Sequence, residues 1–234
     1  MIRLRRIWIA VLAAGLLVPQ HSVFAEWVDL ELLLAVDVSS SVDPEEYALQ
    51  LRGIAEALRH PDVLDAVRRA APNGVAMALM QWGGPREQAM SVPWAVVRDE
   101  ATAEALAAQI GRIERPVTSG GTAIGDALSH GLALLSENSF EGTRQVIDVS
   151  GDGSTNQGNS PGPIRALAAR IGITVNGLVI LNEEPQLDHY YLHRVIGGPG
   201  AFVLPADDFE DFARAIRMKL IREIEGTMVA SVTP

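Results

Sequence analysis

Residues 28–41, VDLELLLAVDVSSS, decide how this chain is read. Within 28–38 the apolar positions alternate at first and then run continuously through Leu32–Val36, as in a central strand buried on both faces. A strong helix start follows at once. Asp43 stands where an N-cap belongs, Pro44 suits the first helical position, and Glu46 completes a capping box. The predicted helix carries Tyr47, Leu51, Ile54 and Leu58 on one side and stops near His60-Pro61. A buried strand leading into a capped helix is the repeating unit of a parallel α/β sheet.

The rest of the chain continues that alternation. Val75–Trp82 reads as a second strand ending in a Gly83-Gly84-Pro85 turn, and Gln88–Trp94, with Pro93 inside it, reads as an edge strand. Glu100–Ile113 and a segment reaching about Leu135 are predicted helices, separated by the turn Ser119-Gly120-Gly121-Thr122. Arg144–Val149 and Ile173–Leu181 are strands, with a glycine-rich loop and a short helix, Ile164–Ile171, between them. Ala201–Leu204 is a last short strand. The final helix is expected after Pro205, with Phe209, Phe212, Ile216, Leu220 and Ile224 as its buried stripe. Asp207, Asp208, Glu210 and Asp211 in its first turns, and Arg214, Arg217, Lys219 and Arg222 later, would complement its dipole. The fold class is therefore α/β: a mainly parallel sheet of about six strands, one edge strand antiparallel, with helices on both faces.

Of 234 residues, 48% are hydrophobic and 21% charged, enough apolar content for one packed domain. Residues 1–25 are expected to be a signal peptide: Arg3, Arg5 and Arg6 lead a 12-residue apolar run, Ile7–Val18, and Val23-Phe24-Ala25 supplies a cleavage site. That run is shorter than the roughly 20 residues of a spanning helix. Residues 26–234 then form a single exported domain, periplasmic or secreted. Setting the three leader arginines aside changes the formal charge from −10 to −13. Such an acidic chain is a poor candidate for binding nucleic acid, which needs a basic face. With no cysteine and a single lysine, Lys219, it has neither a thiolate metal site nor a Walker phosphate loop.

The residues with chemistry to offer gather at strand ends. Asp37, Ser39 and Ser41 occupy alternate positions after the first strand, Thr122 closes the glycine turn before a helix, and Asp152 follows the strand that ends at Val149. In open α/β sheets, ligands bind outside the carboxyl ends of the strands. Two carboxylates and three hydroxyls, without histidine or thiolate, suit Mg²⁺, Mn²⁺ or Ca²⁺ rather than zinc or copper. Singly, each of these residues has an ordinary explanation as a cap or turn residue. Jointly, Asp37-x-Ser39-x-Ser41, Gly120-Gly121-Thr122 and Asp152-Gly153 resemble the von Willebrand factor type A domain across essentially all of residues 26–225. They match the five positions of its metal-ion-dependent adhesion site. The later stretch from Tyr190-Tyr191 through Val195–Phe202 resembles a bacterial secreted branch of that fold whose function is unknown.

The resemblance implies a binding module rather than an enzyme. Ser39, Ser41 and Thr122 would contact a divalent ion, with Mg²⁺ the first expectation and Mn²⁺ or Ca²⁺ the alternatives. Asp37 and Asp152 would act directly or through water, and a carboxylate from a protein or other partner would complete the shell. In some relatives the final helix couples occupancy of the site to a shift between two states. A metal-dependent hydrolase and an envelope protein with an idle site are the alternative readings. Gly158-Asn159-Ser160-Pro161-Gly162 matches the hydrolase elbow as a string, but a polar loop precedes it and Pro161 has no N–H to offer an oxyanion. The run Gly151–Gly158 resembles a thiamine-diphosphate loop but lacks the paired asparagines downstream, since Asn176 stands alone. His189 and His193 could share a helix face, yet such pairs are more often surface or packing residues, and His130 reads as packing or partly exposed. Trp82 and Trp94 read as core or edge anchors; exposed together beside the metal, they would instead suggest a partner surface.

Overall fold

The computed structural model describes residues 25–116 and 120–226. The expected signal peptide falls almost wholly on residues 1–24, outside the described residues, as does Ser119. Six strands form one sheet: β1 (Glu26–Asp37), β2 (Val75–Trp82), β3 (Gln88–Val97), β4 (Phe140–Gly151), β5 (Thr174–Ile180) and β6 (Val203–Ala206). Their order is β3-β2-β1-β4-β5-β6, parallel except for β3, which pairs antiparallel with β2 at one edge. Placing Pro93 on that edge costs no interior ladder bond.

The helices are α1 (Pro44–Arg59), α2 (Pro61–Ala70), α3 (Glu100–Ile110), α4 (Ile124–Glu137), α5 (Pro161–Arg170), α6 (Leu187–Arg194) and α7 (Phe212–Glu225). Successive β1 side chains feed opposite faces. Leu32, Leu34 and Val36 join α1, α2, α3 and α7, while Leu33 and Ala35 join α4, α5 and α6. Burial on both sides is why Leu32–Val36 is apolar at every position.

The Asp43 cap forms as expected: its carboxylate accepts from the Glu45 and Glu46 N–H groups at 2.7 and 2.8 Å, and Glu46 accepts from the Asp43 N–H. Three features differ from the sequence reading. His60-Pro61 ends α1 but also begins α2, where the His60 ring accepts from the Asp62 N–H and Pro61 takes the first turn. The last strand lies two residues later than expected, at Val203–Ala206, and residues 207–211 precede α7 instead of filling its first turns. Asp211 still pairs with Arg214 through both carboxylate oxygens, at 2.5 and 2.6 Å. Lys219, expected among the basic residues that complement the α7 dipole, is fully buried against Asp148 of β4 and Glu223 of α7.

Strand order reverses between β1 and β4. The chain after β1 goes to one side of the sheet and the chain after β4 to the other. The crevice this leaves lies above Asp37 and Gly151, whose strands run side by side with Val36 opposite Ser150.

Candidate metal centre

Asp37 is the last residue of β1 and is completely buried. Its Oδ1 accepts the Ser39 N–H at 2.8 Å, a turn that folds the serine run back over the strand end. The Ser39 and Ser41 hydroxyls lie 3.1 Å apart, and the Ser41 hydroxyl donates to Asp152 Oδ1 at 2.7 Å. Four of the five expected residues thus form one hydrogen-bonded run. Asp37 Oδ2 and Asp152 Oδ2, at the ends of that run, are buried without a hydrogen-bond partner.

Thr122 reaches the same end of the sheet by another route. The Ser40 hydroxyl donates to the Gly120 carbonyl at 2.8 Å, which docks the glycine turn on the serine loop. The Thr122 N–H donates to Asn156 Oδ1 at 2.9 Å, and its own carbonyl accepts the Asn156 N–H. Among the described residues, no hydrogen bond joins Thr122 directly to the other four. It precedes α4 by two residues, and the N-cap position falls to Ala123.

Burial, with the Asp152 charge next in weight, pushes the Asp37 carboxyl up to about 7, against the opposing pull of the Ser39 hydrogen bonds and Arg115. Burial likewise raises Asp152, opposed by the Ser41 hydroxyl and reinforced by Glu183 and Glu46. The Ser39 and Ser41 hydroxyls offset this only in part, being uncharged. Arg115 relieves it only in part, because its guanidinium is held by the carbonyls of Val38 and Ser39 at 3.1 and 2.7 Å.

Several supporting residues were not expected from the sequence. Gln50 donates to the Asp37 carbonyl, and Tyr47 donates to Gln81 beneath the Arg115 guanidinium. Gln50 lies on the apolar side of α1 and Gln81 inside an apolar strand, so each was visible as a lone polar residue at a buried position. Arg115 had no such pattern around it. Gly151 is required by crowding: a Cβ there would sit 2.8 Å from the Tyr191 hydroxyl and 2.9 Å from Asp37 Oδ2. The Tyr191 hydroxyl is buried and held well above the usual phenol range, by burial first and then by the Asp37 and Asp152 charges.

The competing motifs do not assemble. Ser160 is the N-cap of α5, preceded by bends rather than a strand, and Pro161 begins the helix. Asn176 is buried, committed to Glu223 and to the Phe202 N–H. His189 and His193 are both exposed on α6, and His130 is half-buried on α4. Trp82 is buried below Gly151 and Trp94 packs against Phe140, so the two do not form an exposed pair. Among the described residues, no group of three or more His, Cys, Asp or Glu side chains could hold a metal ion. The site at Asp37 offers two carboxylates and relies on hydroxyls for the rest.

The fold recurs in solved structures. Proximal thread matrix protein 1 from the mussel byssus, in a form with a zinc-occupied MIDAS motif, matches with a TM-score of 0.60 at 17% identity, over 82% of this chain and 45% of that one. The von Willebrand factor type A from Catenulispora acidiphila matches at 0.55 and 16%, over 84% and 42%. The pilus adhesin SpaC from Lactobacillus rhamnosus GG matches at 0.57 and 13%, over 83% and 30%. This chain spans less than half the length of each. A search of the curated proteins finds none that matches. The sequence model described as "Protein of unknown function (DUF1194)" matches residues 27–228. The chain belongs to that family, and its fold is that of the von Willebrand factor type A domains.

Proposed function

We propose that this protein is a metal-dependent binding module, in which Asp37, Ser39, Ser41, Thr122 and Asp152 hold a divalent cation that accepts a carboxylate from a partner. The observation that carries the reading is the hydrogen-bonded run from Asp37 to Asp152, ending in two buried carboxylate oxygens without partners. Around a small octahedral cation with bonds of about 2.1 Å, adjacent ligand oxygens stand about 3.0 Å apart. The Ser39–Ser41 and Ser41–Asp152 oxygen spacings, 3.1 and 2.7 Å, fit that edge. A dication would also offset the cost of burying the two carboxylates, since burial raises both and the Asp152 charge adds to the rise at Asp37.

Mg²⁺ is the first choice because the donors are hard oxygens, with Mn²⁺ and Ca²⁺ as alternatives. The mussel protein with zinc at its MIDAS motif supports a divalent cation of some kind, and the pilus adhesin supports a role in binding proteins. Export of residues 26–234 as one domain rests on the sequence of residues 1–25. Among the described residues, no helix is long and apolar enough to cross a membrane.

The test is a pull-down from envelope extract with the protein as bait. Partners should be retained in Mg²⁺ and lost on adding EDTA. Partners that persist after chelation would instead mark an idle site.

A further inference from the structure

One side of the proposed metal centre is lined with acid. Glu46, in the first turn of α1, accepts from the Asn182 amide at 3.2 Å, which ties α1 to the loop after β5. The next two residues of that loop are Glu183 and Glu184. Glu184 accepts from both the N–H and the hydroxyl of Ser154, at 2.9 and 3.1 Å, two residues beyond Asp152. Glu183 is exposed, and both it and Glu46 lie close enough to Asp152 to act on its charge. Between this rim and the serine loop lies Asp152 itself, wholly buried, with Oδ2 unpartnered.

The charges around the site do not balance. Asp37, Asp152, Glu46, Glu183 and Glu184 contribute five negative charges, and among the described residues Arg115 is the cation acting on Asp37. A bound dication still leaves a local charge of −2, on a chain whose formal charge is −10. An isolated carboxylate would approach the open ion position against that field. A carboxylate flanked by ammonium or guanidinium groups would approach with it, its own charge meeting the ion and its neighbours meeting the rim.

We propose that the rim formed by Glu46, Glu183 and Glu184 selects ligands in which the metal-binding carboxylate is flanked by basic residues. The partner is therefore a protein segment of mixed charge, an aspartate or glutamate set among lysines or arginines, rather than an acidic tract. This inference rests on the metal-binding reading above and adds what the site prefers.

The test uses two fluorescent pentapeptides, Gly-Lys-Asp-Lys-Gly and Gly-Glu-Asp-Glu-Gly, titrated against the full protein in Mg²⁺ and in EDTA. The lysine-flanked peptide should bind about tenfold tighter in Mg²⁺, a gap that narrows with added salt and disappears in EDTA. Glu183→Lys, chosen because Glu183 neither caps a helix nor anchors a loop, should close most of the gap when each protein is compared at its own saturating Mg²⁺. Equal metal-dependent binding of both peptides, or a preference that Glu183→Lys leaves intact, would overturn the inference and spare the metal site. Binding of the lysine peptide that survives EDTA would overturn the inference, since it would be attraction to an acidic chain in general, whereas loss of the metal-binding reading would show separately as absence of Mn²⁺ binding.

Discussion

Asp37 concentrates the chemistry of this protein in one carboxyl group. With its pKa at about 7 in the metal-free fold, against 3.8 in a solvated chain, it holds a proton that the unfolded chain has already released. The folded state therefore binds more protons than the unfolded state between those values, and stability falls as pH rises from about 4 to 7. The loss is on the order of 4 kcal/mol for Asp37 alone. Divalent metal must displace the same proton, so its affinity should weaken as pH falls below 7. Chemical unfolding of chelator-treated protein at pH 5 and 7.5, with and without Mg²⁺, checks both signs: the metal-free protein should be more stable at pH 5, and Mg²⁺ should stabilise it more at pH 7.5. The five candidate ligands were legible because each is a small oxygen-bearing residue at a strand or turn boundary. Arg115, Tyr191 and Asn156 were not, because Arg115 acts through backbone carbonyls, Tyr191 reaches the site from α6, and Asn156 meets Thr122 only in the folded chain.

At the scale of elements, α7 is held to the sheet by a buried charge cluster as well as by its apolar stripe. Lys219 lies between Asp148 of β4 and Glu223 one turn along, at 2.6 Å from the latter, and Asn176 of β5 donates to the same Glu223 oxygen. Burial and the Asp148 charge push Glu223 up to about 7, and burial raises Asp148 as well. Removing the cation would strand two carboxylates in the interior. Lys219→Met should cost about 3–5 kcal/mol at pH 7.5. Because protonation can neutralise both acids, the loss should shrink at pH 5; urea unfolding at the two pH values measures it. A loss independent of pH would point to packing instead. The apolar stripe of α7 was readable from its spacing, whereas Lys219 was read only as one of the basic residues complementing the helix dipole. The hint lay in Asp148, Asn176 and Lys219, each a polar residue set within an otherwise buried run. Helix α2 was missed for a related reason, since His60-Pro61 stops one helix and starts the next.

For the whole molecule, the sheet order explains why these parts meet. β1 and β4 are neighbours in space, although 102 residues separate the end of one from the start of the other, and the crevice above them receives the loops after both strands and the turn before α4. The alternation of strand and helix patterns revealed this architecture because parallel strands buried on both faces leave an uninterrupted apolar signature. Which loops converge depends on strand order, which no local pattern encodes. On the proposed reading, the acidic chain would need a cation at that crevice to attract a carboxylate. The most direct test of the central claim is calorimetric titration of Mn²⁺ into chelator-treated protein, alongside Asp37→Ala and Thr122→Ala. One ion per molecule should bind the unaltered protein, at least about tenfold more weakly in each variant. Absence of binding, or binding that neither substitution changes, would contradict the account.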